Sequence, residues 1–159
     1  MKNIIRETTT EIINTLKNRN QTITFAESCT GGRIASAFTA ISGASSVLNG
    51  SVVSYANEIK SAWLGVKEET LVEHGAVSQE CVKEMLQGIL KMASADYAIA
   101  VSGIAGPTGG SDEKPVGTVY IGVATEEESN VKLYLFKGNR EEIQEQATAE
   151  SILLLKNIL

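Results

Sequence analysis

Residues 96–106, DYAIAVSGIAG, constrain the fold more than any other stretch. After one carboxylate they run almost wholly apolar and stop at a glycine. A strand with one wet face alternates, so an unbroken apolar strand must be covered on both faces. The flanking segments supply the cover. Residues 78–93 read as a helix, with Ser78 as N-cap, Glu80 in the first turn, and Val82, Met85, Leu86, Ile89 and Leu90 forming one stripe. Residues 3–19 carry Ile5, Thr8, Ile12, Ile13 and Leu16 at helical spacing. TITFAES (22–28) reads as a strand running into a glycine pair and the helix RIASAFTAI, which Ser42 and Gly43 break. NGSVVSYA reads as a second strand ending near Tyr55, with NEIKSAWLG a short helix after it. Downstream, VGTVYIGVA and VKLYLFK alternate as two strands of a hairpin joined through EEESN. A closing helix places Ile143, Ala147, Leu154 and Ile158 on one side. Strands alternating with helices predict an α/β fold, a layered mixed sheet with helices packed on its faces. No repeat, linker or low-complexity tract interrupts the chain, so residues 1–159 are expected to form a single domain.

Charge and cysteine usage narrow the partners. The 159 residues suffice for a core without staples. Acidic side chains number 19 against 14 basic ones, a formal net charge of −5, and no basic stripe is available to a nucleic acid. No apolar run approaches the roughly 20 residues of a membrane span. The opening MKNIIRETTTEIINTLKNRN has no unbroken apolar region of the secretory kind. Cys29 and Cys81 are then expected as reduced thiols in the cytoplasm. One histidine and two cysteines do not make a zinc shell, and neither metal nor other cofactor is expected.

Two segments carry candidate chemistry. Both prolines and five of the 14 glycines, Gly103, Gly106, Gly109, Gly110 and Gly117, fall within GIAGPTGGSDEKPVG (103–117). A loop there lies beyond the carboxyl end of a buried strand, where open α/β sheets bind ligands. Its glycines let backbone N–H groups approach a phosphate, and Lys114 adds charge; the alternative is a long surface turn. Neither the Walker pattern nor GxGxxG is present. The second segment is AESCTGG (26–32), at a strand end leading into a helix. Ser28 there is either a nucleophile, with N–H groups of Thr30, Gly31 and Gly32 facing a developing oxyanion, or, like Thr30, a helix cap. Cys29 is a rival nucleophile or an inert buried thiol. A serine nucleophile needs a base. His74 reads as a cation at a helix end and Asp96 as a cap at the start of a strand. Lys60 and Tyr55, after the second strand, share the rim of Ser28 if those strands are parallel. Lys60 reads otherwise as an exposed helix lysine.

AESCTGG at 26–32, SYANEIK at 54–60, HGAVS at 74–78 and GIAGPTGGSDEKPVGTVY at 103–120 together resemble the CinA carboxy-terminal domain family, over residues 5–155. The resemblance implies a metal-independent nicotinamide-nucleotide amidase of NAD salvage, a hydrolase yielding nicotinate mononucleotide and ammonia. It implies Ser28 as nucleophile and Lys60 as its base, with Tyr55 and Asn57 as auxiliaries. The loop of Gly103, Gly106, Gly109 and Gly110 would line the nucleotide site. Arg140 or Lys114 would meet the phosphate, and Glu27 would neighbour the pyridinium. It further implies a stand-alone form and a homo-oligomer whose other partner is the small-molecule nucleotide. A non-catalytic nucleotide-binding module and a competence-associated protein are the alternative readings. The chain departs from the family's pattern at Ala56, where relatives carry Ser or Thr, and at Gln144 and Glu145, where relatives carry arginine.

Overall fold

The computed structural model describes residues 2–159. Five strands form one sheet in the order β2-β1-β3-β4-β5. They are β1 (Ile23–Glu27), β2 (Leu48–Val53), β3 (Tyr97–Gly103), β4 (Thr118–Ala124) and β5 (Ser129–Leu135). β2, β1 and β3 run parallel, while β4 and β5 are antiparallel additions, so the sheet is mixed as the hairpin pattern predicts. The helices are α1 (Lys2–Asn18), α2 (Arg33–Thr39), α3 (Asn57–Leu64), α4 (Glu68–His74), α5 (Gln79–Ala93) and α6 (Arg140–Lys156). A short 3-10 turn, Ala44–Ser46, precedes β2.

The central strand β3 divides its side chains by size. Ile99 and Val101 point into a large apolar cluster with Ile12, Leu16, Phe25, Phe38, Ile121, Ile152 and Leu155, under α1, α2 and α6. Ala98 and Ala100 point the other way, where Ala26 joins Leu64, Met85, Leu86 and Ile89 under α3 and α5. Small residues on that face let α5 lie close to the sheet. At Gly122 of β4 an added Cβ would stand 2.7 Å from Leu86 and 2.8 Å from Val82. Every residue of β3 except Gly103 is buried, as an unbroken apolar strand requires.

Two details differ from the sequence pattern. On α1 the buried threonine is Thr9, whereas Thr8 donates its hydroxyl to Ile4 O at 2.8 Å on the wetter side. Helix α4 is foreshadowed only by the turn ending at His74, because EETLVEH buries one residue, Thr70, and has no apolar stripe. Ser78 does cap α5, accepting from Cys81 N at 3.1 Å.

The register decides where a site can form. Glu27 stands beside Val53 of β2 and Val101 of β3, so the three parallel strands end together. The segments that leave them emerge on one rim. β5 ends beside Thr118 at that same rim, and α6 therefore starts there.

Candidate active site

Residues 28–32 turn the chain from β1 into α2. Ser28 N is fixed by Val101 O at 3.0 Å and Gly31 N by Ser28 O at 2.9 Å. The turn closes through left-handed glycines, Gly31 at φ 59° and Gly32 at φ 98°, a region costly for residues with a Cβ. Gly32 is the N-cap of α2, and the side chain that reaches the first-turn amides is that of Glu27, which removes the capping role considered for Ser28 and Thr30. Ser28 is 7% exposed and its Oγ lies 3.2 Å from Lys60 Nζ.

Lys60 is not an exposed helix lysine: α3 carries it inward and leaves it 1% exposed. Its amine also donates to Ser54 O and Tyr55 O, both at 2.9 Å. Burial pulls its pKa below the ordinary 10.5, against a smaller opposite pull from the thiols of Cys81 and Cys29. Tyr55 thus serves the lysine through its backbone carbonyl. Its ring is 58% exposed, and its hydroxyl accepts from Arg140 Nη2 at 3.0 Å.

Cys29, next to the serine, points into the core. It is 3% exposed, and burial, with the charge of Glu27 adding to it, pushes the thiol up to about 12. A thiol so held is not a thiolate at neutral pH. Cys81 is buried with a pKa raised to about 11, and both cysteines are free.

The glycine-rich loop is tied at two points. Gly106 O accepts from Arg140 Nη1 at 2.7 Å, and Lys114 Nζ donates to His74 O at 2.7 Å. Arg140, at the start of α6, therefore bridges the loop and Tyr55 across the mouth of the site, while Lys114 latches the loop to α4. Gly109 and Gly110 lie on its exposed outer part, Gly103 is half-buried at the end of β3, and Asn57 is exposed on the first turn of α3. The imidazole of His74 lies 3.8 Å from the carboxylates of both Glu73 and Glu80. Asp96 accepts from Thr22 N at 2.8 Å, the capping role expected of it.

Glu27 is fully buried and bonded to the turn and to α2. It also occupies the amides of Ile34 and Ala35, so the start of α2 is closed to an oxyanion. Of the turn amides, Gly31 N is engaged internally, and among the described residues those of Thr30 and Gly32 have no acceptor. Sequence reasoning missed Gln144. It is buried on α6 and donates from Nε2 to Cys29 O at 2.9 Å. The resemblance had marked it only as a departure from the family's pattern. A cavity of about 400 Å³ between α5 and the β4–β5 turn, lined by Leu86, Lys91, Glu126 and Glu128, lies at the opposite end of the sheet from Ser28. Among the described residues no cluster suited to a metal ion occurs, and no helix is long and apolar enough to cross a membrane.

The CinA C-terminal domain family model matches residues 5–159. The chain belongs to that family. It is similar to the nicotinamide-nucleotide amidohydrolase PncC of Escherichia coli K12, at 50% identity over 141 residues, 88% of this chain and 86% of that protein. A CinA-like protein of Endomicrobium trichonymphae is 49% identical over 144 residues, but these are 91% of this chain and only 34% of the relative. The chain thus spans about a third of the longer CinA-like relatives. Among solved structures, the competence/damage inducible protein CihA of Agrobacterium tumefaciens superposes with TM-score 0.95 at 37% identity, over 97% of this chain and 94% of that one. The competence damage-inducible protein A of Klebsiella pneumoniae gives 0.93 at 40%, over 96% and 95%. The α/β fold read from the sequence is the fold of this family.

Proposed function

We propose that the chain is a serine amidohydrolase that converts nicotinamide mononucleotide to nicotinate mononucleotide and ammonia, serving pyridine nucleotide salvage. The observation that carries the reading is the buried contact of Lys60 Nζ with Ser28 Oγ at 3.2 Å. The activity named for the E. coli relative supplies the substrate class.

A neutral amine has two N–H bonds and one lone pair. Ser54 O and Tyr55 O take the two N–H bonds, which leaves the lone pair for the serine proton. Lys60 takes that proton as Ser28 Oγ attacks the carboxamide carbon. The oxyanion is met by the amides of Thr30 and Gly32, a contribution of about 3–4 kcal/mol per donor in comparable hydrolases. As the C–N bond breaks, the lysine ammonium returns its proton to the leaving nitrogen, and ammonia departs. Water then attacks the acyl ester, gives a proton to Lys60, and the ester bond breaks with proton return to Ser28. Arg140 keeps donors free beyond Gly106 O and Tyr55 OH to meet the nucleotide phosphate. Asn57, Gly103, Gly109 and Gly110 are the further positions that the family resemblance offers for lining the nucleotide site.

Ammonia release from nicotinamide mononucleotide, measured without added metal, tests the reading. Wild type is expected to turn over, and Ser28→Ala and Lys60→Met to lose at least about 10³-fold. Full turnover by folded Ser28→Ala overturns the nucleophile, and nucleotide-induced thermal stabilisation without ammonia from wild type favours a binding module.

A further inference from the structure

Glu27 is a buried carboxylate with no cation beside it. It is 0% exposed and, among the described residues, forms no ion pair. A carboxylate buried in this way is costly unless hydrogen bonds replace its water. Here three do. Oε1 accepts from Thr30 Oγ1 at 2.7 Å and from Ile34 N at 3.0 Å, and Oε2 accepts from Ala35 N at 3.0 Å.

These partners straddle the turn. Glu27 is the last residue of β1, Thr30 is the midpoint of the turn, and Ile34 and Ala35 are the second and third residues of α2. One rigid carboxylate plane therefore fixes the strand end, the turn and the helix start relative to each other. A neutral cap such as serine can satisfy a helix start. It does not span nine residues while also orienting the threonine at the midpoint of the turn. On the far side, Gln144 holds Cys29 O and Arg33 Nη1 holds Thr30 O at 3.1 Å. Ser28, between these anchors, has only its side chain free, and that points at Lys60.

Resting on the reading of Ser28 as nucleophile, we infer that Glu27 is a positioning residue. Through Thr30 and the start of α2 it sets the Ser28–Lys60 contact and aims the Thr30 amide at the developing oxyanion. It touches neither substrate nor reacting atoms.

The test uses Glu27→Gln, which keeps the shape but turns an N–H₂ toward backbone donors, and Thr30→Val, which removes a single bond isosterically. Two rates are read: kcat with nicotinamide mononucleotide, and the labelling of Ser28 by a small sulfonyl fluoride, which needs no substrate. The dissociation constant of the nucleotide is measured in a Ser28→Ala background. Glu27→Gln is expected to lower kcat and the labelling rate together by about 10- to 100-fold, with nucleotide binding within about twofold. Thr30→Val is expected to lose less in both rates, and it keeps the inference testable if Glu27→Gln does not fold. Unchanged labelling and kcat in either folded variant overturn the inference, as does a loss confined to nucleotide binding. Failure of the amidase reading is distinguishable: wild type then labels at Ser28 without releasing ammonia, and the labelling rates still decide the role of Glu27.

Discussion

Once it has lost its proton, a primary amine that donates to two carbonyls keeps its lone pair for whatever stands at the remaining corner. At Lys60 that neighbour is Ser28 Oγ. The pH dependence follows from the lowered pKa. Activity is expected to rise with pH as Lys60 loses its proton, with the midpoint below 10.5, and a rate profile checks it. Stability changes in the same direction. Folded, Lys60 releases its proton at a lower pH than it does unfolded, so between the two values the unfolded chain holds the extra proton. Stability therefore rises as pH climbs toward 10.5, by at most about 1.4 kcal/mol per pH unit. Urea titrations at several pH values are expected to show that slope in wild type and lose it in Lys60→Met. The adjacent thiol has the opposite standing. Cys29 is pushed up to about 12 and turned into the core, so Cys29→Ser is expected to keep kcat within about fivefold while losing about 1 kcal/mol of stability from a buried hydroxyl. A collapse of turnover in folded Cys29→Ser contradicts that assignment. Of these side chains, the place of Ser28 at a strand end before two glycines was legible in the sequence, and its role came only from the family resemblance. The burial of Lys60 was not, since its neighbours Glu58 and Ser61 look like those of any surface lysine.

Helix α3 brings Lys60 to the site, and two positions govern how firmly it does so. Ala56 is its N-cap, in extended backbone and with no side-chain bond to the first turn. A side-chain cap at such a position has a typical value of about 1 kcal/mol. Ala56→Ser is expected to add about 0.5–2 kcal/mol in denaturant unfolding with an unchanged m-value. The other position is Gly88 on α5, where an added Cβ would overlap Leu64 O at the far end of α3. Gly88→Ala must push the two helices apart. It is expected to cost about 1–3 kcal/mol and to lower kcat more than a remote core substitution of equal cost. Such element contacts set the limit of pattern reading. The apolar stripe of α5 announced a helix but not the backbone it would press against. Helix α4, burying only Thr70, left almost no apolar signal to read.

At the level of the whole molecule, the parallel run of β2, β1 and β3 places three strand ends on one rim, and the antiparallel return of β5 delivers α6 to the same place. The layered sheet was legible because its central strand is apolar throughout and its neighbours alternate. The convergence at the rim was not, because residues as far apart as Cys29 and Gln144, or Tyr55 and Arg140, meet only through topology. At Gln144 the altered charge was visible, but its inward direction required the packing of α6. The proposed reaction passes through a covalent acyl intermediate on Ser28. The most direct measurement is turnover of nicotinamide mononucleotide in the presence of hydroxylamine, with products separated and identified by mass. An acyl-enzyme at Ser28 predicts the hydroxamate of nicotinate mononucleotide, rising with hydroxylamine and absent with Ser28→Ala. Formation of nicotinate mononucleotide alone at every hydroxylamine concentration would mean that water attacks the amide directly, and would contradict the account.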